Sequence, residues 1–253
     1  MYNQVDFYFS YWNAEVQLIQ QHQDPADASC ASCSGHTFTG QSGLSSGAKR
    51  LEGTHQTAHA GQLIYRSNEP VDGVSVICEG WAFSYLMLFD GRRQILSFLL
   101  PGDVVATTAL LRDRLSVSIQ ALTDLRYCRF SKPELRSLMA AEPQVFDRYV
   151  SICAAEKDET DQLVTDLGRR TADERIARLV LALMARLGAR GMVQDASFAF
   201  PLRQRHIADA TGLTPVHVSR VIGSFRNAGL IEITGRFLKV LNLDELRRIS
   251  NTR

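Results

Sequence analysis

RQRHIADATGLTPVHVSRVIGSFRNAGLI, residues 203–231, has the pattern of two short helices joined by a glycine-centred turn. Gly212 permits the tight turn that lets a second helix cross the first. Thr214 is a good N-cap for that second helix, and Pro215 follows where no backbone donor is needed. A buried stripe at helical spacing is predicted for Val218, Val221, Ile222 and Phe225. The stretch therefore predicts a helix-turn-helix.

The side chains left on the outer face of the second helix suit the major groove of DNA. An Arg can grip guanine through two acceptors, a Ser can bond a base edge or a phosphate, and a Val can contact a thymine methyl. We predict that DNA is contacted by Arg203, Thr214, Pro215, Val216, His217, Ser219 and Arg220. The alternative is an ordinary helical hairpin with one solvated face. After Gly229, the run LIEITGRFLKVLN alternates around Gly235 and predicts the two strands of a wing.

Length and composition indicate a soluble globular protein of mixed class. With 253 residues and 45% hydrophobic content, the chain can bury a sizeable core and is expected to hold two domains. It contains no apolar run near the roughly 20 residues that cross a bilayer, and its start lacks the early Lys or Arg of a secretory signal. We expect a cytoplasmic protein without a membrane partner.

The net charge of +1 conceals an asymmetry between the two halves. Residues 165–253 hold 15 Lys plus Arg against 8 Asp plus Glu, whereas residues 1–164 hold 13 against 19. Phosphate binding needs local positive charge, so the basic C-terminal half agrees with DNA binding. An excess of surface Arg alone would give the same imbalance.

Before the helix-turn-helix, the sequence changes character twice. Residues 1–60 are predicted to be an arm and loop carrying a Cys pair, with loops through the Ser- and Gly-rich stretch up to residue 62. Residues 61–142 contain short β-prone runs separated by turns, including the Asp90-Gly91 hairpin signal. This spacing predicts a small antiparallel barrel or jelly roll.

A long helix is predicted to connect the barrel to the C-terminal domain. It covers residues 143–168, and a stripe that includes Tyr149, Ile152 and Leu163 suggests a dimer seam. Packing of this helix on its own barrel is the alternative. The segment from Thr171 to Leu187 then has a capping box and an apolar face, and it opens a DNA-binding domain over residues 169–253.

In this order, the segments PGDVV, LGRRTADERIARLVLAL and HIADATGLTPVHVSR resemble the Crp/Fnr family of bacterial transcription regulators over about residues 60–246. The resemblance implies an α+β fold: an N-terminal antiparallel β jelly roll like a cyclic-nucleotide-binding domain, a long dimerisation helix and a C-terminal winged helix-turn-helix. It implies a non-enzymatic homodimer that binds a palindromic operator in double-stranded DNA. RNA polymerase is a further expected partner.

The resemblance also assigns individual recognition residues. Arg220 matches the arginine that contacts guanine in the family, and Ser219 matches a serine of Fnr-type members. Val216 departs from the glutamate found in many members, which accepts a bond from cytosine. Since Val cannot accept that bond, we expect a different half-site sequence.

The barrel departs from the cyclic-nucleotide-binding pattern at the phosphate cassette. Ala106 and Thr107 stand where the family has Gly-Glu, and Leu115 precedes Ser116 where it has Arg. Arg112 and Arg114 are near but displaced. We therefore expect a signal other than cAMP, such as oxygen, redox state or a small molecule.

The cysteines offer one such signal. Cys30 and Cys33, with the distant Cys128, resemble three of the four cysteines that ligate the iron–sulfur cluster of Fnr proteins, but Thr39 replaces the remaining one. A cluster would need Cys78, His36 or an outside ligand as its fourth. A zinc site and a thiol–disulfide switch are alternatives for the Cys pair. Cys78, Cys128 and Cys153, in apolar surroundings, also suit plain burial.

Two further interpretations stay open. A regulator that binds DNA constitutively would use its barrel only as a structural module. A cupin-like metal enzyme is poorly supported, because His55 and His59 precede the predicted strands and no His pair with a Glu lies on one.

Overall fold

A computed structural model describes residues 53–251 of the chain. Its contacts divide the protein into two compact units. The boundary along the described chain falls between Asp161 and Gln162. Among residues 53–251, no helix has both the length and the apolarity that crossing a membrane requires.

The first unit is built on two antiparallel four-stranded sheets, in the orders β1-β8-β3-β6 and β2-β7-β4-β5. The strands are β1 Thr54–Ala58, β2 Leu63–Tyr65, β3 Gly73–Glu79, β4 Ala82–Met87, β5 Arg93–Leu99, β6 Val104–Val105, β7 Ser118–Ala121 and β8 Leu125–Ser131. Inward-facing side chains such as Val74, Ile119 and Phe130 form one core. The predicted antiparallel jelly roll is confirmed.

Strand β1 corrects the expectation of loops up to residue 62. Thr54–Ala58 pairs antiparallel with Leu125–Ser131, and Ala58 is buried. The segment THQTA carries a single apolar residue, so it shows almost no alternation. Its backbone hydrogen bonds come from a strand about 70 residues later, and such distant pairing leaves no local trace.

Two helices follow the sheets: α1, Lys132–Ala141, and α2, Pro143–Arg169. The Tyr149 side chain on α2 is 5% exposed, and its hydroxyl donates to the Thr107 carbonyl at 3.2 Å. Ile152 packs against the same core, while Leu163 is half-buried. The assignment of Tyr149 to a dimer seam needs correction, because the protomer's own core already covers this side chain.

The second unit has the architecture expected of a winged helix-turn-helix. Its elements are α3 Ala172–Gly188, β9 Ser197–Ala199, α4 Gln204–Thr211, α5 Pro215–Asn227, β10 Ile231–Thr234, β11 Phe237–Val240 and α6 Leu243–Ser250. The predicted capping box is present, with Thr171 and Glu174 bonding each other's backbone N–H. The wing has a third strand, β9, which pairs with β11 and was not predicted.

Candidate nucleic-acid interface

Helix α5, the recognition helix of the motif, begins as its sequence requires. The Thr214 hydroxyl accepts from the His217 backbone N–H at 3.2 Å, and Pro215 occupies the first turn. Val218, Val221 and Phe225 are buried, whereas Ile222 is half-buried. The buried stripe fixes which face of α5 points outward.

The turn before α5 depends on Gly212. This residue caps α4 with a φ of 67°, in the left-handed region that favours glycine. A Cβ added here would lie 2.9 Å from Leu167 Cδ2 and 3.5 Å from Arg175 Nη1. Both backbone conformation and space therefore require glycine.

The predicted reading residues of α5 lie together on its outer face. Val216 is 80% exposed, Ser219 and Arg220 are exposed, and His217 is half-buried. Within residues 53–251, the Arg220 guanidinium makes no hydrogen bond or ion pair. An unengaged guanidinium beside an exposed aliphatic side chain can offer two donors to guanine and an apolar contact to thymine.

Arg203 lies apart from this face, at the N-cap of α4, and its side chain is exposed. Its backbone N–H donates to Nδ1 of the buried His206 at 3.1 Å. This bond satisfies one of the free donors at the start of α4.

Further exposed basic residues surround the motif and were not singled out from the sequence. They are Arg205 on α4, Arg226 in the last turn of α5, and Arg236 in the turn between β10 and β11. The excess of basic residues after residue 165 was their only signal. Single cations on separate elements give no motif of their own, although together they suit a phosphate backbone.

In the first unit, the polar groups at the cassette position are directed inward. Thr107 is 4% exposed, and its hydroxyl donates to Glu156 Oε2 on α2 at 2.6 Å. Burial raises the pKa of Glu156 to about 7, although the hydrogen bond from Thr107 opposes the shift. One turn later, Ser97 donates to Glu159 Oε2 at 3.2 Å. Two carboxyl groups of α2 therefore bond side chains of the barrel, and one of these side chains is Thr107 at the cassette position.

The two displaced arginines of this region do not take the place of the missing cassette arginine. Arg112 and Arg114 are exposed, and the Arg114 guanidinium donates to the Asn68 carbonyl. Leu115 is buried in the core. Within residues 53–251, neither guanidinium bonds to Thr107 or Glu156.

Of the three cysteines assigned to a cluster, the structure describes Cys128; Cys30 and Cys33 lie outside the described residues. Cys128 is fully buried on β8, and a Cβ on Gly53 would collide with its sulfur. The backbone of Gly53 therefore packs directly against this thiol. Burial raises the pKa of the Cys153 thiol on α2, which makes this thiol a weaker nucleophile.

The described residues do not supply a metal site. His55 lies on β1 and not before the strands as predicted, and both His55 and His59 are exposed. From Gly53 to Asn251, no three His, Cys, Asp or Glu side chains are grouped so that they could hold a metal ion. A four-thiolate cluster does not fit these residues alone, and neither does a cupin-type centre.

Comparison with known proteins agrees with both halves of this architecture. Residues 174–249 match the Crp-like helix-turn-helix domain, and residues 55–142 match the cyclic nucleotide-binding domain. The chain is 32% identical over 186 residues to the transcriptional activator protein FnrL of Cereibacter sphaeroides, covering 72% of this chain and 74% of the relative. It is 29% identical over 186 residues to the transcriptional activator protein anr of Pseudomonas aeruginosa, covering 74% and 76% respectively.

A solved structure shows the same arrangement of elements. FixK2 from Bradyrhizobium japonicum superposes with a TM-score of 0.74 at 27% identity, covering 80% of this chain and all of that one. The chain is a DNA-binding transcription regulator with a cyclic-nucleotide-binding-like domain, and it belongs to the Crp/Fnr family.

Proposed function

We propose that the protein acts as a homodimer that reads a palindromic operator with the outer face of α5. The observation that carries this proposal is the exposed set of Val216, Ser219 and Arg220 on a helix whose opposite face is buried. Arg220 bonds guanine and Val216 contacts a thymine methyl, while Ser219 and His217 reach a base edge or a phosphate. Arg203, Thr214 and Pro215 lie against the DNA backbone and set the register.

Selection from random double-stranded oligonucleotides with the full chain tests this reading. We expect two inverted half-sites whose centres are about 10 base pairs apart, as two symmetric recognition helices require. The half-sites should contain guanine and thymine at adjacent or near-adjacent positions. Recovery of no preferred sequence, or of a single half-site by a monomer, contradicts the proposal.

The dimer seam we propose lies on a face of α2 other than the predicted one. Phe146, Val150 and Val164 are large apolar side chains that are 46% exposed or more. With Cys153, Lys157 and Thr160, they occupy positions that alternate by four and three residues along α2, which is the spacing of a heptad repeat. An apolar repeat of this spacing is the signature of a two-helix coiled coil, and its polar members set the register.

Val150→Lys tests the seam by placing a charge in each of two facing helices. Sedimentation velocity should show a dimer for the wild-type protein and a monomer for this variant at micromolar concentration. Asp158→Lys, exposed on the same helix but off the heptad, is the control and should stay dimeric. The proposed seam is refuted if Val150→Lys remains a dimer.

We further propose that the signal is not a cyclic nucleotide. Leu115, which is buried in the core, stands where the family's cassette has the arginine, and a phosphate bound there would lack its cation. Thermal unfolding with and without millimolar cAMP or cGMP should show the same midpoint. A concentration-dependent rise in midpoint would mean that one of these nucleotides binds the folded protein.

Redox sensing is a second candidate for the signal, favoured by the 32% identity of the chain to the transcriptional activator protein FnrL. It would use Cys128 together with Cys30 and Cys33 upstream. Iron and sulfide analysis after anaerobic purification, with thiol titration before and after oxidation, tests it. Metal-free protein whose thiols and operator affinity do not respond to oxidants would favour the constitutive regulator.

A further inference from the structure

Arg175, in the first turn of α3, binds three backbone carbonyls from two separate stretches of the chain. Its Nε donates to the Arg170 carbonyl at 2.9 Å, its Nη2 to the Leu167 carbonyl at 2.8 Å, and its Nη1 to the Thr211 carbonyl at 3.0 Å. Leu167 lies in the last turn of α2 and Thr211 is the last residue of α4. One guanidinium thus joins the end of the long helix to the turn of the DNA-reading motif.

The three acceptors are carbonyls that lack ordinary helical partners. The last carbonyls of a helix have no backbone donor within it, and they carry the negative end of the helix dipole. The planar guanidinium has five donors and a fixed positive charge, so it satisfies several carbonyls at once. An ammonium or an amide at this position could not reach all three.

Steric contact reinforces the same junction. The backbone of Gly212 is so close to Leu167 that a Cβ would lie 2.9 Å from its Cδ2 atom. The turn between α4 and α5 therefore rests directly on the end of α2, with Arg175 holding it there.

The end of α2 is itself fixed within this unit. Asp166 forms ion pairs with Arg170 and Arg178, each at 2.9 Å, and Arg170 also donates to the Ser250 carbonyl at 2.7 Å. Arg178 reaches back to Gln162 at 2.8 Å. Because Asp166 keeps Arg170 as a partner without Arg178, and Arg170 also binds the Ser250 carbonyl, the last turn of α2 stays fixed when Arg178 is replaced.

We propose that Arg175 is a positioning residue for DNA recognition: it locks the helix-turn-helix turn onto the end of α2 and so sets the orientation of α5. The inference rests on the proposed function of α5 as the reading helix. Arg175 need not contact DNA in this role.

The test compares Arg175→Met with Arg178→Met in the full-length protein. Both variants remove a half-buried guanidinium from α3, but only Arg175 contacts the turn. Hydrogen exchange without DNA should accelerate about tenfold for the amides of Gly212 and Leu213 in Arg175→Met, and stay at the wild-type rate in Arg178→Met.

The second readout is the ratio of affinity for the selected operator to affinity for non-specific duplex. We expect about a tenfold lower ratio for Arg175→Met with unchanged non-specific binding, and the wild-type ratio for Arg178→Met. If Arg175→Met does not fold, Arg175→Lys replaces it and should show smaller effects in the same direction.

The inference is overturned if both arginine variants behave alike, or if the turn amides and the affinity ratio stay at wild-type values in Arg175→Met. Absence of any operator preference in the wild-type protein would refute the proposed function instead. The exchange measurement would then still decide whether Arg175 holds the turn.

Discussion

The two units of the molecule differ in how far the side chains of their candidate sites are exposed. At the start of α5, Val216 is 80% exposed, and Arg220 beside it is exposed without a partner in the described part of the chain. In the first unit, Thr107 is 4% exposed and bonded to Glu156. The outer face of α5 in the C-terminal unit is therefore open for a ligand. In the N-terminal unit, the cassette position at Thr107 is bonded to the protein's own Glu156 carboxyl group.

Arg220→Ala should have the largest effect on the open side of this contrast. Loss of two hydrogen bonds to guanine is expected to weaken operator binding by about 1–3 kcal/mol, or about 5- to 150-fold, and to relax preference at one base pair. Titration of the selected operator and its single-base variants measures both. Arg226→Ala, at the other end of α5, is the control and should leave the base preference unchanged. If Arg220→Ala keeps the wild-type affinity and base preference, the exposed face of α5 does not bind guanine through Arg220.

Gly212→Ala tests whether the turn that positions α5 requires glycine. The strained φ of 67° and the contact with Leu167 should lower the free energy of unfolding by about 1–3 kcal/mol. Gly223→Ala is the matched control, since a Cβ there meets nothing within 4 Å and α5 should gain about 0.5–1 kcal/mol. Urea unfolding distinguishes the two, and equal stability of both variants would show that the turn tolerates a side chain.

Glu156→Gln tests the buried carboxyl group that is bonded to Thr107 in the N-terminal unit. The pKa of Glu156 is raised from 4.5 to about 7, so the folded state binds its proton more tightly than the unfolded state. Its contribution to stability is therefore greatest at low pH and is lost as the pH rises through about 7. Because the site is partly solvated, Glu156→Gln should stabilise the protein at pH 8 by at most about 2 kcal/mol.

Thermal unfolding between pH 5 and 8 measures this effect. The wild-type protein should lose stability across that interval relative to Glu156→Gln, and the two should converge at low pH. Asp158→Asn, exposed on the same helix, should track the wild type. A constant difference between wild type and Glu156→Gln at every pH would indicate an ordinary, fully solvated carboxyl.

Val216 provides the smallest and most specific test. Replacing thymine by uracil in the operator removes one methyl, which should weaken wild-type binding by about 0.8 kcal/mol at the contacted position. Val216→Ala should bind the thymine operator more weakly by a similar amount and be insensitive to uracil. Additive losses in this double-mutant cycle would mean that Val216 and the methyl do not touch.

The C-terminal unit was predictable because its signals are local. Thr214, Pro215 and Gly212 each specify a backbone conformation within a few residues of themselves, and the apolar stripe of α5 has one face. Arg175 escaped prediction since a lone Arg on an amphipathic helix is ordinarily solvated, and its acceptors belong to segments that only the fold brings together.

The first unit was predictable in class but not in its site. Turns and short apolar runs indicated the jelly roll, yet β1 was missed because its partner strand is remote. On α2, apolar residues occur on two faces, and sequence alone does not decide which face the barrel takes. The choice of Tyr149 for the seam failed for that reason, and the inward Glu156 was not singled out from the sequence.

The pairing of β9 with β11 determines which residues a chimeric protein must contain to keep this DNA-binding domain folded. Phe198 lies opposite Leu238, and both are fully buried. A chimera that carried only residues 203–241 would leave β11 with an unpaired edge and Leu238 without its cover. Designers who wish to fuse this specificity to another sensor should place the splice before Gln162, ahead of the ion pairs of Asp166.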